Sequence, residues 1–202
     1  MEERRTVRDG YDTLAETYAD RRTLTGRGTE LVEAFAASID PDSRVLDAGC
    51  GGGVPAGVVL ADRHSVLGCD ISGAQLAAFE ANVPGGDPVY GDLTTLPVAD
   101  GSVDAVVSLF AVIHVPRERH DEVFTELHRV LGSDGEALLV VGNEPWEGRN
   151  PDWLDAGAEM FWSYFGRDRN LGLLRDAGFE IIDDEVVSDE LGGAFCFVRV
   201  QT

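Results

Sequence analysis

Val45-Leu46-Asp47-Ala48-Gly49-Cys50-Gly51-Gly52-Gly53 reads as an apolar strand that ends in an acid and runs into a cluster of glycines. Glycines at such a turn let the backbone approach a ligand without Cβ interference, and a following helix aims its positive N-terminal end into the same space. The stretch is therefore a nucleotide-binding turn, and it points to a cofactor. Two later segments repeat the theme at suitable intervals. Val66-Leu67-Gly68-Cys69-Asp70 is a second apolar strand closed by an acid, and Gly91-Asp92 follows a third short strand.

A dinucleotide-binding unit requires G-x-G-x-x-G. Counting from Gly49 puts Val54 at the last glycine position, and counting from Gly51 puts Ala56 there, an allowed variant. Asp70 suits either cofactor, because both carry a ribose diol. Asp47 at the first strand end and Asp92 after the third are not part of the dinucleotide pattern. With them the ensemble resembles the class I S-adenosylmethionine-dependent methyltransferases, in the type 11 or UbiE-like branch. Asp47 to Gly53 is similar to the D-x-G-x-G-x-G loop of that family, and Gly68-Cys69-Asp70-Ile71-Ser72 to its second-strand acid. Gly91 to Asp104 (GDLTTLPVADGSVD) follows the branch pattern G-D-x-x-x-L-P-x-x-D-x-S-x-D and is the most specific piece. The resemblance runs from about Val7 to Val141. It departs at Leu131-Gly132-Ser133-Asp134-Gly135-Glu136, where Asp134-Gly135 replaces a Pro-Gly-Gly turn.

The pattern of the remaining chain agrees with an α/β fold. Residues Arg4 to Ala37 read as two helices broken near Thr25-Gly26-Arg27-Gly28, with Tyr11, Leu14, Ala15 and Tyr18 on one face of the first. Strands are expected at 44–48, 65–70, 87–91, 103–109, 136–142, 179–187 and 193–200, and helices at 54–62, 73–82, 117–131 and 168–177. Such alternation argues for a parallel sheet covered on both faces. The resemblance adds the order 3-2-1-4-5-7-6 with the last strand antiparallel, hence a Rossmann-like three-layer sandwich carrying an N-terminal helical cap. With 202 residues one domain is expected. Its parts are a cap (1–40), a cofactor-binding core (41–142), a segment 143–166 and a C-terminal helix with two strands (167–202). The segment 143–166 breaks the alternation and is long for a connection. It holds Trp146, Trp153 and Trp162, all three tryptophans of the chain. It is either a substrate lid or a short helix whose aromatics cover the sheet edge, and the two are compatible.

Composition limits the partners. The net charge is -21, and the 16 basic residues are all arginine, with no lysine. Dense carboxylates without lysine resemble the proteins of extreme halophiles, where salt screens self-repulsion; an acidic protein from a GC-rich bacterium is the alternative. So negative a chain is a poor match for a polyphosphate backbone, so a nucleic acid partner is not expected, although halophilic nucleic-acid enzymes are acidic too. No apolar run is long enough to span a bilayer, and Met1-Glu2-Glu3-Arg4-Arg5 lacks the core of a signal peptide, so a cytoplasmic protein is expected. Cys50, Cys69 and Cys196 form no CxxC pair, and neither disulfides nor a metal site is suggested.

Site residues follow from these motifs. The resemblance implies S-adenosylmethionine as cofactor, with Asp47 orienting its ammonium group and the amides of Gly49, Cys50 and Gly51 meeting its carboxylate or ribose. Asp70 has two acceptor oxygens for the ribose hydroxyls; its alternative role, capping the next helix, is better filled by Ser72. Ile71 stands beside it, Asp92 accepts from the adenine amino group, and Leu93 addresses the ring edge. Tyr11-Asp12-Thr13-Leu14-Ala15-Glu16-Thr17-Tyr18 is similar to a Y-D-x-x-A-x-x-Y helix that closes over the methionine end, which makes Tyr11 a cap on the cofactor and Tyr18 a substrate contact; simple packing explains the same spacing. Methyl transfer from a sulfonium needs mainly alignment and dryness, and a base only when the nucleophile carries a proton. His114, after the fourth strand, is the candidate catalytic base and substrate contact, or else an orienting donor. His64, His120 and His128 need only packing or solvent roles. Trp146 and Trp162 complete the substrate side. Asn143-Glu144-Pro145-Trp146 follows the fifth strand rather than the fourth, so adenine or glutamine-amide methylation is not indicated. The expected function is methyl transfer to a small-molecule acceptor; the alternative is a non-catalytic cofactor-binding protein acting through a partner.

Overall fold

The computed structural model describes residues 2–22 and 24–202; Met1, and Thr23 between the two helices read from the sequence, lie outside the described residues. The chain runs α1 (Glu2–Arg21), α2 (Arg27–Ser38), β1 (Arg44–Ala48), α3 (Ala56–Ala61), β2 (Ser65–Asp70), α4 (Gly73–Asn82), β3 (Asp87–Tyr90), β4 (Val103–Ser108), α5 (His120–Val130), β5 (Leu131–Gly142), β6 (Trp146–Asn150), β7 (Met160–Tyr164), α6 (Arg167–Asp176), β8 (Glu180–Ser188) and β9 (Ala194–Gln201).

Seven strands form one sheet in the order β3-β2-β1-β4-β5-β9-β8, and β6 with β7 makes a separate two-stranded ribbon. Once the ribbon is set aside, this is the expected 3-2-1-4-5-7-6 arrangement. The pairs β1 with β2 and β1 with β4 are parallel, while β9 is antiparallel to both neighbours. Central strands in such a sheet are buried on both faces and read as apolar runs. Val45 and Leu46 show how the pleat divides them. Leu46 packs with Val106, Phe124, Leu127 and Leu139 toward α5 and α6, and Val45 packs with Val32, Phe35 and Leu60 toward α2 and α3. Helix α5 buries Val123, Phe124, Leu127 and Val130 at helical spacing, and Ser72 caps α4 by accepting from the Gln75 amide.

Two elements differ from the sequence expectation. Segment 143–166 is neither a loop nor a helix but a hairpin, with Trp146 paired to Tyr164 and Gly148 to Trp162. Its tip bends through Leu154 and Asp155, both at positive φ. The strand signal was hidden because β6 (Trp-Glu-Gly-Arg-Asn) has one aromatic residue and little β-branched character. Strand β5 also begins five residues early, at Leu131, and skips register between Val103 and Ala105 of β4 to absorb the Asp134-Gly135 turn.

The ribbon sends Trp162 and Tyr164 against the core on the α2–α3 side of the sheet. It also packs on α1, where Val7 and Leu14 meet Ala158, Met160 and Phe161. Helix α1 and the ribbon thereby close over the carboxyl ends of the strands at the place where β2 and β4 diverge on either side of β1, the usual binding position in such sheets.

Candidate active site

A cleft at that switch point is lined by Gly49, Gly51, Asp70, Ile71, Asp92 and Leu93 from the sheet side, and by Tyr11 and Tyr18 from α1. Its cavity volume is about 90 Å³. The glycine loop is shaped by close approach: a Cβ on Gly49, which has φ 77°, would stand 2.2 Å from the Ala111 Cβ. The loop amides do not face the cleft as expected. Gly49 and Cys50 donate to the Cys69 carbonyl at 2.7 and 3.0 Å, and Gly51 donates to Asp70 Oδ2 at 2.9 Å. These bonds tie the loop to β2 and aim Asp70. The other oxygen, Oδ1, accepts from the Ser72 amide at 2.8 Å. Each carboxylate oxygen keeps a lone pair for a further donor. Burial raises the Asp70 carboxyl above its ordinary range, against the pull of those backbone donors.

Asp47 and Cys50 stand behind the cleft wall and do not line it. The Asp47 side chain lies against Gly57 in the first turn of α3, 3.5 Å from where a Cβ would be. It is buried, its Oδ2 has no hydrogen-bond partner, and desolvation together with the charge of Asp70 raises its pKa to about 7. Cys50 is packed in the core with Val45 and Leu60. Asp92 accepts at Oδ1 from the amide and hydroxyl of Thr94, and its other oxygen pairs with Arg4 of α1. Arg4 thus enters the cleft beside Asp92, a contact that sequence spacing did not reveal.

His114 is buried where the cleft meets a second cavity. Its Nδ1 is 2.7 Å from the Phe161 carbonyl and its Nε2 is 2.9 Å from the Tyr11 hydroxyl. A carbonyl only accepts, so Nδ1 carries the proton and Tyr11 donates to Nε2. Burial lowers the imidazole pKa to about 4, so the ring is neutral at ordinary pH. The second cavity is walled by Trp146, Trp153, Trp162, Tyr164 and Phe195, and it shares Tyr11, Phe110 and His114 with the cleft. Trp146 and Trp162 therefore belong to this cavity, whereas Tyr18 lines the cleft instead. Trp153, Arg22 and Asp189 were not anticipated as site residues. The aromatic bias of segment 143–166 signals Trp153, but nothing local signals the meeting of Arg22, at the end of α1, with Asp189 of the β8–β9 turn at 2.7 Å.

The profile of a methyltransferase domain matches residues 46–139. A putative methyltransferase of Encephalitozoon cuniculi is 28% identical over 209 residues, covering 94% of each chain. An 18S rRNA (guanine-N(7))-methyltransferase of Schizosaccharomyces pombe is 28% identical over 140 residues, covering 64% of this chain and 50% of the relative. Over residues 46–139 the chain is a methyltransferase domain. Among solved structures, a putative methyltransferase in complex with a methyltransferase activator of Haloferax volcanii superposes with a TM-score of 0.74 at 20% identity, covering 96% of both chains; at that identity the likeness concerns the fold.

The enzyme's cofactor is S-adenosylmethionine, and the donor set of the cleft fits it. Asp70 offers two oriented acceptors to a diol, and Ile71 and Leu93 offer apolar surface on either side. The buried, unpartnered Oδ2 of Asp47 lies behind the glycine loop. Among the described residues no cluster of three or more His, Cys, Asp or Glu side chains is arranged for a metal ion, and no helix is long and apolar enough to cross a membrane.

Proposed function

We propose that this methyltransferase acts on a small molecule held in the aromatic cavity, with transfer taking place where that cavity meets the cofactor cleft. The observation that carries the reading is the shared wall: Tyr11, Phe110 and His114 line both spaces. Bound S-adenosylmethionine supplies an electrophilic methyl group. In this reading Asp70 holds the ribose hydroxyls, and Gly49, Gly51, Ile71 and Leu93 shape the adenosyl site. Asp92 accepts from the adenine once Arg4 yields one of its oxygens, and Asp47 and Cys50 support the loop from behind. Tyr11 and Tyr18 close the cleft from α1, excluding water as positioning requires. His114 accepts a proton at Nε2, the nitrogen left free by its bond to Phe161. The hairpin 143–166 acts as the substrate lid, with Trp146 and Trp162 against the acceptor. The same reading treats the protein as cytoplasmic and adapted to high salt.

Calorimetric titration in molar KCl tests the cofactor half. S-adenosylmethionine and S-adenosylhomocysteine should bind and NAD should not, and Asp70→Ala should weaken the adenosyl ligands at least tenfold. Parental affinity in that variant would remove Asp70 from the site. A second reading, a guanine base in RNA, is favoured by the rRNA-modifying relative. Methylation of extracted ribosomal RNA, with no methyl transfer to a small-molecule library, would establish it against the first.

A further inference from the structure

The acceptor cavity carries its own statement about chemical class, one that rests on the small-molecule reading above. Its surface is dominated by rings. Trp153 and Trp162 meet edge to face at 5.2 Å, and Trp162 leans on His114 at 5.5 Å. Such walls favour a flat, polarizable ligand. The tip of the hairpin fixes them: Asp152 Oδ1 accepts from the Gly157 amide at 2.7 Å, and Trp153 N–H donates to the Ala158 carbonyl at 3.0 Å.

The charges on the wall are already committed. Among the described residues they are Arg22, Arg149 and Asp189. Arg22 donates Nη1 to Asp189 at 2.7 Å and to Glu190 at 3.2 Å, and Nε to the Tyr18 hydroxyl at 2.8 Å. The Arg22 and Asp189 side chains are only 7% and 5% exposed. Arg149 is held by Glu159 at 2.9 Å and by Thr6 at 3.3 Å. An anionic ligand would have to displace a buried carboxylate from its arginine. A cationic ligand would meet like charge from Arg22, whose guanidinium lies 4.3 Å from the Phe110 ring centre, and from Arg149 on the same wall. An uncharged ligand is the one that neither conflict rejects.

One polar feature remains at the junction. The Tyr11 hydroxyl donates to His114 Nε2 and also meets the Tyr18 hydroxyl; with two lone pairs on the phenolic oxygen, one acceptor position remains in the wall that both spaces share. It can receive a hydrogen bond from a hydroxyl on the ligand. We infer that the acceptor is an uncharged hydroxyaromatic compound, its ring stacked among Trp153, Trp162 and Tyr164 and its hydroxyl donated to the Tyr11–His114 pair. The hydroxyl oxygen forms the new bond to the methyl carbon as the sulfur–carbon bond of the donor breaks, with that electron pair going to sulfur. The hydroxyl proton passes to Tyr11, and the tyrosine's own proton passes to His114 Nε2. The products are an aryl methyl ether and S-adenosylhomocysteine, with the proton held on His114 until solvent takes it.

All three tryptophans of the chain line this cavity, so intrinsic tryptophan fluorescence reports on it alone. The protein, saturated with S-adenosylhomocysteine in molar KCl, is titrated with para-propylphenol, para-propylbenzoate and para-propylbenzylamine, exciting at the red edge of tryptophan absorption where simple phenols are transparent. The phenol should give a saturable change at concentrations where the anion and the cation give none. Tyr11→Phe should weaken the phenol by roughly three- to tenfold, the worth of one hydrogen bond, while para-propyltoluene, which has no hydroxyl, should bind parent and variant equally. Tighter binding of the benzoate or the amine overturns the class and leaves the cavity as the acceptor site. Silence toward all three, with S-adenosylhomocysteine still bound, removes the cavity from the acceptor role and overturns the reading beneath it.

Discussion

His114 and Asp47 are both buried, and burial displaces them in opposite directions because one charges on gaining a proton and the other on losing it. The imidazole is fixed as the Nδ1–H tautomer by the Phe161 carbonyl and is lowered to about 4. Nitrogen NMR of the histidines should show Nε2 of His114 unprotonated from pH 8 down to about 5; a transition near the ordinary histidine range would refute its burial. Asp47 is raised from 3.8 to about 7. Between those values the folded state holds a proton that the unfolded state has lost, so this group's stabilisation is complete below pH 4 and disappears as pH rises through 7. Asp47→Asn does not titrate, and its stability relative to the parent should therefore climb between pH 4 and pH 8, by up to about 4 kcal/mol. Chemical denaturation across that range checks it, and a constant difference would contradict the raised pKa. Residue types at this scale were readable from the sequence, since strand-end acids and glycines have few other uses in that spacing. Their directions were not. Whether Gly51 donates to a ligand or to Asp70, and whether Asp47 faces the cleft or α3, depends on backbone torsions that no motif specifies. The Arg4–Asp92 pair joins positions far apart in the chain, and one sequence alone gives no trace of it.

Helix α1 presents a conflict between propensity and packing. Its 20 residues bury only Val7, Gly10 and Leu14, so its place over the cleft depends on polar ties such as Asp12 Oδ1 to the Ser72 hydroxyl at 2.6 Å and to the Ala74 amide at 3.2 Å. Gly10 in a helix interior is unfavourable by about 1 kcal/mol relative to alanine. A Cβ there would stand 2.7 Å from the Glu159 carbonyl oxygen and 3.0 Å from the Met160 methyl, so the glycine allows the helix to touch β7. Gly10→Ala should accordingly lift α1 despite its better propensity: limited proteolysis should cut within residues 2–21 several times faster while the sheet keeps its melting transition. Unchanged or slower cleavage would show that propensity wins and that the contact relaxes. The elements of the sheet were legible because their apolar runs, their glycine turns and the cap at Ser72 are local signals that agree with one another. The hairpin was not, because its strands face a cavity on one side and α1 on the other, which replaces apolar alternation with tryptophans and glycine.

At the scale of the whole molecule, 37 carboxylates face 16 arginines, and even with every arginine paired most of the negative charge has no partner. Several of the pairs seen, such as Arg27 with Glu185 and Arg119 with Glu122, are exposed on both sides, where water and salt screen them. The folded state therefore carries an uncompensated self-repulsion that solvent ions must screen. The screening length is about 10 Å at 0.1 M salt and about 3 Å at 1 M. Carboxylates separated by about 5–10 Å repel one another at the first length and are largely hidden at the second. Arginine in place of lysine reinforces this, since the guanidinium is weakly hydrated and pairs with carboxylates in a fixed planar fork. The melting temperature should thus rise steeply between 0.1 and 1 M KCl, by more than 10 °C. An ordinary acidic protein gains little beyond physiological salt, where its few repulsive contacts are already screened. Circular dichroism melts across a KCl series separate the two: a plateau below about 0.3 M, with full secondary structure after dialysis into dilute buffer, would sink the high-salt adaptation. Because the cofactor cleft adds Asp70 and Asp92 to this field, affinity for S-adenosylmethionine, a cation, should fall as salt rises even while the fold strengthens, giving activity an optimum in salt rather than a limit.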